Sequence, residues 1–259
     1  MLISIITVVY NGENYIRKTM DSVLCQNFKD YEYIVIDGLS QDNTVNIARE
    51  YEASFEGRLK IYSEKDNGIY DAMNKGIKIA KGQWINFMNA GDAFSNSNVI
   101  EELTKKKAFE DSDLVYGDVL GSSTMGVRYL RAGDLRGLTK TMQFSHQSLF
   151  VKTILMKERM FSLKYKLAAD YDFILSMYLS GHKFKYIPIP IATIMAGEGA
   201  THANFEKSKK EVYNIHVDKG LGALRSFYLY VYYIVRFYAS STLKRIIPVK
   251  LCRILLGIK

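Results

Sequence analysis

The chain has 259 residues, 48% hydrophobic and 24% charged, which excludes a disordered polypeptide and leaves room for one large domain, alone or with an appendage. Its 2 cysteines, Cys25 and Cys252, are far apart and lack metal-ligand spacing, which excludes a disulfide scaffold and fits a reducing compartment. The net charge of +8 is unevenly spread: from Leu221 to Lys259 there are seven Lys or Arg, no Asp or Glu, and many interleaved aromatics. Such a segment suits anionic lipid, nucleic acid or a negatively charged partner.

Residues 2–9 form a continuous apolar run rich in β-branched side chains, the pattern of a buried strand rather than a leader peptide. Asn11-Gly-Glu-Asn14 then gives a turn and cap. A helix is expected to about Gln26, with Ile16, Met20, Val23 and Leu24 on one face. Further strands are expected over 33–36, 59–62 and 84–88. The polar loop 37–44 caps a helix that ends near Phe55, and another helix covers 71–80 before Gly82. Beyond Asp92 the pattern predicts a helix over 98–109 and a strand over 114–116. Residues 119–144 read as strand pieces and loops, followed by a strand over 147–151 and a helix over 169–179. Short strands over 184–187 and 191–195 are divided by Pro188 and Pro190, and a Gly-rich loop over 195–205 precedes a helical remainder. Alternating strands and helices predict an α/β fold: a mixed, mainly parallel, Rossmann-like sheet with helices on both faces and a helical C-terminal tail.

Ligands of open α/β sheets bind beyond the carboxyl ends of the strands. Polar groups stand there after each of the first four strands: Tyr10 and Asn11, Asp37, Asp66, and Asn89 with Asp92. One alone would be a capping residue; four in succession outline a site. Neither GxGxxG nor GxxxxGK[ST] occurs, so phosphate binding calls for something other than a glycine nest, and a divalent ion on a carboxylate is the natural substitute.

Four segments carry a resemblance. Ser4-Ile-Ile-Thr-Val-Val-Tyr-Asn11, Val35-Ile-Asp-Gly-Leu-Ser-Gln-Asp-Asn-Thr44, Glu64-Lys-Asp-Asn-Gly-Ile-Tyr-Asp-Ala-Met-Asn-Lys-Gly76 and Phe87-Met-Asn-Ala-Gly-Asp92 resemble the successive motifs of family 2 glycosyltransferases, inverting enzymes with the GT-A fold. The likeness covers roughly residues 2–196. It implies a catalytic domain over 1–205, with a nucleotide-sugar half over 1–92 and an acceptor half over 93–205, and a basic, aromatic extension over 206–259. It also implies transfer of a sugar from a nucleotide-diphosphate donor, UDP-linked by preference, to a hydroxyl of a saccharide acceptor.

The resemblance further implies roles. Val8, Tyr10, Asn11, Asp37 and Asp66 fall on the nucleotide side, with Tyr10 against the base and Asp37 bonded to it. Asn89-Ala-Gly-Asp92 matches the family's DxD region, so Asp92 would hold Mn²⁺ or Mg²⁺ against the diphosphate, helped by Asn89 and Gly91. Asn89 and Gly91 stand where many members have Asp, which leaves one carboxylate for the ion. Ala168-Ala-Asp-Tyr-Asp172 matches the catalytic motif with Ala169 in place of Glu, placing the general base at Asp170 and leaving Asp172 structural. His146 and Gln147 match a His-Gln pair near the acceptor side. By residue type alone, a His beside a Gln is more often a hydrogen-bonding core group. His202, in the Gly-rich loop, is a candidate to close over the diphosphate or complete the ion's shell, against a plain surface histidine. Lys75 offers a charge to phosphate, against a solvated helix end.

The uncharged run 226–235, flanked by Arg225 and Arg236, is too short to span a bilayer, which takes about 20 residues. Its Tyr rings and flanking cations suit an interfacial helix on the inner face of the cell membrane; the alternative is packing on the main domain or on a second copy as a homodimer. The upstream motifs offer nucleic acid nothing. A lipid-linked acceptor in glycan assembly follows from the resemblance joined to this tail. Two competing readings are a sugar-phosphate nucleotidyltransferase, whose basic Gly-rich opening loop is missing, and a non-catalytic nucleotide-sugar scaffold. The transferase reading requires Asp37, Asp92 and Asp170 to share one cleft.

Overall fold

Hydrophobic runs of the right length produce the strands, and their alternate residues feed two separate cores. The computed structural model describes residues 1–123, 126–195 and 203–246, with side chains as far as residue 239. Nine strands form one mixed sheet in the order β3-β2-β1-β4-β8-β6-β9-β5, with β7 on β6. Strands β1 (Ile3–Val9), β2 (Tyr31–Asp37), β3 (Leu59–Ser63) and β4 (Trp84–Phe87) are mutually parallel. Strand β8 (Leu149–Lys152) runs antiparallel between β4 and β6 (Leu114–Ser123). Strands β9 (Phe184–Met195), β5 (Ala93–Phe94) and β7 (Gly126–Leu130) complete the far side.

Every residue of β1 is buried, and its two faces go to different layers. Ile6 and Val8 pack with α3 (Ile69–Ile79), α5 (Thr153–Glu158), α6 (Ala169–Leu179) and Ile215 of α7 (Phe205–Asp218). Ile3, Ile5 and Val9 pack with α1 (Ile16–Leu24), α2 (Thr44–Glu50) and α4 (Val99–Lys105). Because β1 to β4 are parallel, the turns that follow them all emerge at one edge of the sheet, where the four polar motifs gather.

Three boundaries differ from expectation for physical reasons. The strands expected on either side of Pro188 and Pro190 are one strand, because the register against β6 shifts around Asp118 and the irregularity accommodates the missing proline N–H groups. The strand expected over 147–151 starts at Leu149, since His146–Ser148 turn as a short 3-10 helix. The helix expected over 98–109 stops at Lys105, and Lys107 takes a positive φ of 53°.

Helix α8 (Ala223–Ile246) lies antiparallel-fashion along α7 through ring contacts: Phe237 stacks on Phe205 at 4.0 Å, and Tyr213 meets Phe227 and Tyr230. Leu224, Tyr228, Val231 and Val235 are exposed on its other side. Among the described residues no helix is long and apolar enough to cross a membrane.

Candidate active site

The turn 89–92 is built from below by α1. Thr19 Oγ1 donates to the Asp92 carbonyl at 2.6 Å and accepts from Gly91 N at 3.0 Å, while Lys18 Nζ donates to the Gly91 carbonyl at 2.8 Å. Gly91 has φ of +98°, a conformation that favours glycine and explains why no carboxylate side chain stands there. The turn aims Asp92 into a cleft of about 550 Å³, large enough for a sugar and a diphosphate. Asn89, Gly91, His146, Gln147 and Asp170 line the same cleft, with Tyr70 and Tyr15.

Asp170 sits in the first turn of α6, and its orientation is heavily constrained. Its Oδ1 accepts from Tyr70 Oη at 2.8 Å and from Tyr171 N at 2.9 Å, and its Oδ2 faces His146 Nδ1 at 3.3 Å. Burial opposes ionisation of this carboxyl, but the hydrogen bond and charge of His146, with Tyr70 and Tyr171, outweigh it and hold Asp170 below its ordinary value. Burial likewise opposes a charged His146, and the bond and charge of Asp170 overcome it, raising the imidazole. The N–H groups ahead of α6 are satisfied by Glu211 of α7, which accepts from Lys166, Leu167 and Ala168 at 2.8–3.0 Å. Asp172 points away and pairs with Lys219 at 2.8 Å and Arg159 at 3.5 Å, the structural position expected of it.

His146 Nε2 contacts Asn89 Nδ2 at 3.2 Å. A neutral ring with its proton on Nδ1 accepts there from the amide; a protonated ring needs the Asn89 oxygen instead, and an asparagine can serve either state. Gln147 Nε2 donates to Asp92 Oδ2 at 2.7 Å. Burial raises the Asp92 carboxyl above its ordinary range despite this bond and the charges of His146 and Lys18. The Asn89 Oδ1 is buried without a partner. A carboxylate that burial disfavours and an unpartnered amide oxygen, carried by two residues that line one cleft, are hard oxygen donors suited to Mn²⁺ or Mg²⁺. No cluster of three acidic, His or Cys ligands occurs among the described residues, so such an ion would take most of its shell from a diphosphate.

The nucleotide-side candidates assemble beside this cleft, outside its lining. Asp37 is buried and accepts from Ser63 Oγ at 2.6 Å and Ser40 N at 3.1 Å, so it fixes the loop after β2. It is not among the residues that line the cleft of Asp92 and Asp170, so two of the three expected carboxylates come together. The requirement that all three share the cleft is too strict, because Asp37 stands at the end of β2, at the same edge of the sheet, and acts on the loop beside the cleft. A Cβ on Gly38 would lie 2.4 Å from Asp66 Oδ2, so the missing side chain is what lets Asp66 close over the end of β2 next to Tyr10. Tyr10 is 62% exposed, a ring free to meet a flat ligand. Asn11, at φ +48°, accepts from Gln41 N and joins the first two loops. Val8 is buried in the core, and Lys75 is spent on the Lys65 carbonyl and Glu64. His202 lies outside the described residues. Tyr70, Thr19 and Glu211 had no role in the sequence reading. Tyr70 stands in the Asn67-Gly-Ile-Tyr70 segment of a motif, a signal that was available; Glu211 lies 41 residues beyond the base it helps position and left none.

The family model described as glycosyl transferase family 2 matches residues 4–178. A PGL/p-HBAD biosynthesis glycosyltransferase of Mycobacterium bovis (strain BCG / Pasteur 1173P2) is 35% identical over 177 residues, covering 66% of this chain and 68% of that protein. An uncharacterized glycosyltransferase, EpsJ of Bacillus subtilis (strain 168), is 33% identical over 114 residues, 44% of this chain and 33% of that one. Among solved structures, S. aureus TarS 1-349 in complex with UDP-GlcNAc superposes with a TM-score of 0.68 at 18% identity, over 92% of this chain and 73% of that one. The mannosyltransferase PcManGT from Pyrobaculum calidifontis, in complex with GDP-Man and Mn2+, gives 0.65 at 16% identity, over 85% and 64%. At those identities the two structures speak for the fold.

Proposed function

The chain belongs to glycosyl transferase family 2 and is a glycosyltransferase with a GT-A-type fold, and from that premise we propose that it is an inverting enzyme using a UDP-linked sugar, with Asp170 as general base. The observation that carries this reading is that Asp170 and Asp92 line one cleft while Tyr10 and Asp66 flank it at the same edge of the sheet.

The acceptor hydroxyl gives its proton to Asp170 Oδ2, the oxygen that faces only His146. Its oxygen bonds the anomeric carbon from the face opposite the phosphate, and the bond from that carbon to the donor diphosphate breaks. A carboxylate held below its ordinary value is a weak base, which suffices when proton transfer comes late, after the sugar has gained cationic character. Tyr70 and the Tyr171 N–H fix the plane of the carboxylate, and His146 fixes its second oxygen. Asp92 and Asn89 are the residues to hold a divalent ion, which when bound balances the charge of the departing diphosphate. Tyr10 stacks on the base, Asp66 stands at the ribose, and Asp37 and Asn11 shape the loops beneath them.

The acceptor we assign is a saccharide on a lipid phosphate, in surface glycan assembly at the cytoplasmic face of the membrane, with α8 lying on that surface and residues 1–205 forming the catalytic unit. Supporting this is the exposed row Leu224, Tyr228, Val231 and Val235 beside a sequence rich in Lys and Arg. Calorimetry with UDP and Mn²⁺, then turnover of UDP-sugars in a crude lipid extract, tests the function. Binding with turnover supports it; binding without turnover favours a scaffold, and no binding overturns the donor assignment.

A further inference from the structure

A second groove, of about 200 Å³, opens on the other side of the base. It shares Ser145, His146, Leu167 and Asp170 with the main cleft, so the catalytic carboxylate stands at the boundary of the two. Its volume suits a single sugar ring. Lys209 of α7 lines it, with Nζ 3.3 Å from Thr141 Oγ1 and held over two aromatic faces, 4.8 Å from the Tyr233 ring centre and 5.4 Å from that of Phe205.

This ammonium makes no ion pair with a carboxylate among the described residues. Glu211, two residues on, is committed to the backbone ahead of α6. Asp170 is taken by His146 and Tyr70. Burial pushes Lys209 below the usual lysine range, with no acidic neighbour to offset it. Arg225, bonded to Thr139 at 3.1 Å, adds a second cation whose charge, like that of Lys209, is felt at His216. A part-buried cation left without a counter-ion is costly, and an arriving anion offsets that cost.

We propose that this groove is the acceptor subsite and that Lys209 binds a phosphate on the acceptor sugar, placing a hydroxyl of the same ring at Asp170. This deepens the transferase reading and rests on it. A phosphate rather than a planar carboxylate fits because a lysine offers a compact point charge without a guanidinium's bidentate fork.

Glucose 1-phosphate, methyl glucoside and glucuronate are titrated into wild type, Lys209→Gln and Lys209→Arg, with UDP and Mn²⁺ saturating so that the donor cleft is filled. UDP binding, measured first, reports on the donor reading separately; if it fails, the same three probes are titrated without it and the Lys209 comparison still decides. The expected result is that glucose 1-phosphate binds wild type about tenfold or more tighter than either other probe, that Lys209→Gln abolishes the advantage, and that Lys209→Arg restores part of it. Thermal melting confirms that the variants fold. A parallel arm with a polyprenyl phosphate in detergent micelles separates sources: a further Lys209-dependent gain identifies a lipid phosphate, and none identifies a soluble one. Equal binding of glucose 1-phosphate and methyl glucoside, equal binding of glucose 1-phosphate and glucuronate, or affinity for glucose 1-phosphate unchanged in Lys209→Gln, overturns the proposal.

Discussion

His146 Nδ1 lies 3.3 Å from Asp170 Oδ2, and both side chains face a cleft while remaining largely shielded from solvent. The pair ties the turn before β8 to the first turn of α6, two elements separated in sequence whose neighbours pack in one core layer. Through Asn89 the same ring reaches the turn that carries Asp92, so the base and the diphosphate side are connected by one imidazole.

Replacing Asp170 with Asn keeps the shape and both donors to Oδ1 but removes the proton acceptor. Transfer is expected to fall by about 10²–10⁴-fold, the usual worth of a general base. UDP affinity, measured by calorimetry, should stay within a factor of two or so of wild type, because the nucleotide-side residues are elsewhere. Transfer at near wild-type rate would remove Asp170 from the mechanism.

His146→Ala tests whether the imidazole acts by holding Asp170. Freed of its partner, the carboxylate keeps Tyr70 and the Tyr171 N–H on one oxygen only. A loss of up to about 10²-fold in kcat is expected from the misplaced base, with donor affinity preserved. A matching loss of UDP affinity would instead mean that His146 serves the donor.

Much of this arrangement was legible in sequence. β1 was read from a continuous β-branched run because every residue in it is buried; β2, equally buried, was expected only over 33–36 and runs from Tyr31 to Asp37; the start and end of α6 were met at Ala169 and Leu179. The turn residues Asn89 and Asp92 were placed at a strand end, where they stand. What escaped was set by distant contacts. Pro188 and Pro190 looked like breaks because the bulge opposite them, at Asp118, belongs to another strand. Asp37 was expected in the cleft, but its pairing with Ser63 depends on the β2–β3 register, which no local pattern encodes. The tie from Glu211 to the backbone ahead of α6 is a tertiary bond with no spacing signature.

Asn89→Asp restores a second carboxylate beside Asp92. In the natural sequence one carboxylate and one amide oxygen make a weak ion site without nucleotide. The variant should bind free Mn²⁺ roughly tenfold tighter, read by competition with a fluorescent chelator, while losing the amide's ability to donate to a neutral His146. Unchanged Mn²⁺ affinity would place the ion away from residue 89.

His216 gives the protein a pH dependence of its own. It is buried on α7 with Nε2 2.7 Å from Tyr171 Oη, and burial, with the charges of Arg225 and Lys209, brings its pKa down to about 4. The unfolded chain, near 6.5, binds the proton more readily, so the stability associated with neutral His216 is complete above about 6.5 and is lost as pH falls toward 4. Across that window the loss is expected to be ~2 kcal/mol, and His216→Gln should flatten it. Urea melts at pH 7 and 4.5 decide this: equal pH sensitivity in both proteins would assign the effect to other groups.

The membrane contact of α8 turns on which side of the helix is free. Ser226 is buried and Tyr230 and Tyr233 face α7, so the packed side is used up. Leu224, Tyr228, Val231 and Val235 recur at helical spacing on the opposite side, a row that water solvates poorly. The sequence around and beyond it carries Arg225, Arg236, Lys244, Arg245, Lys250, Arg253 and Lys259 with no acidic residue. Each such cation near an anionic surface contributes about 1 kcal/mol, and the apolar row adds burial at the headgroup level. The protein should therefore sediment with vesicles containing phosphatidylglycerol and much less with pure phosphatidylcholine, and salt should weaken the association. Leu224→Glu combined with Val235→Glu should abolish it without lowering the melting temperature, since neither side chain is buried. If a homodimer covers this row instead, the same pair of substitutions would convert a dimer to a monomer in sedimentation velocity and leave vesicle binding unaltered.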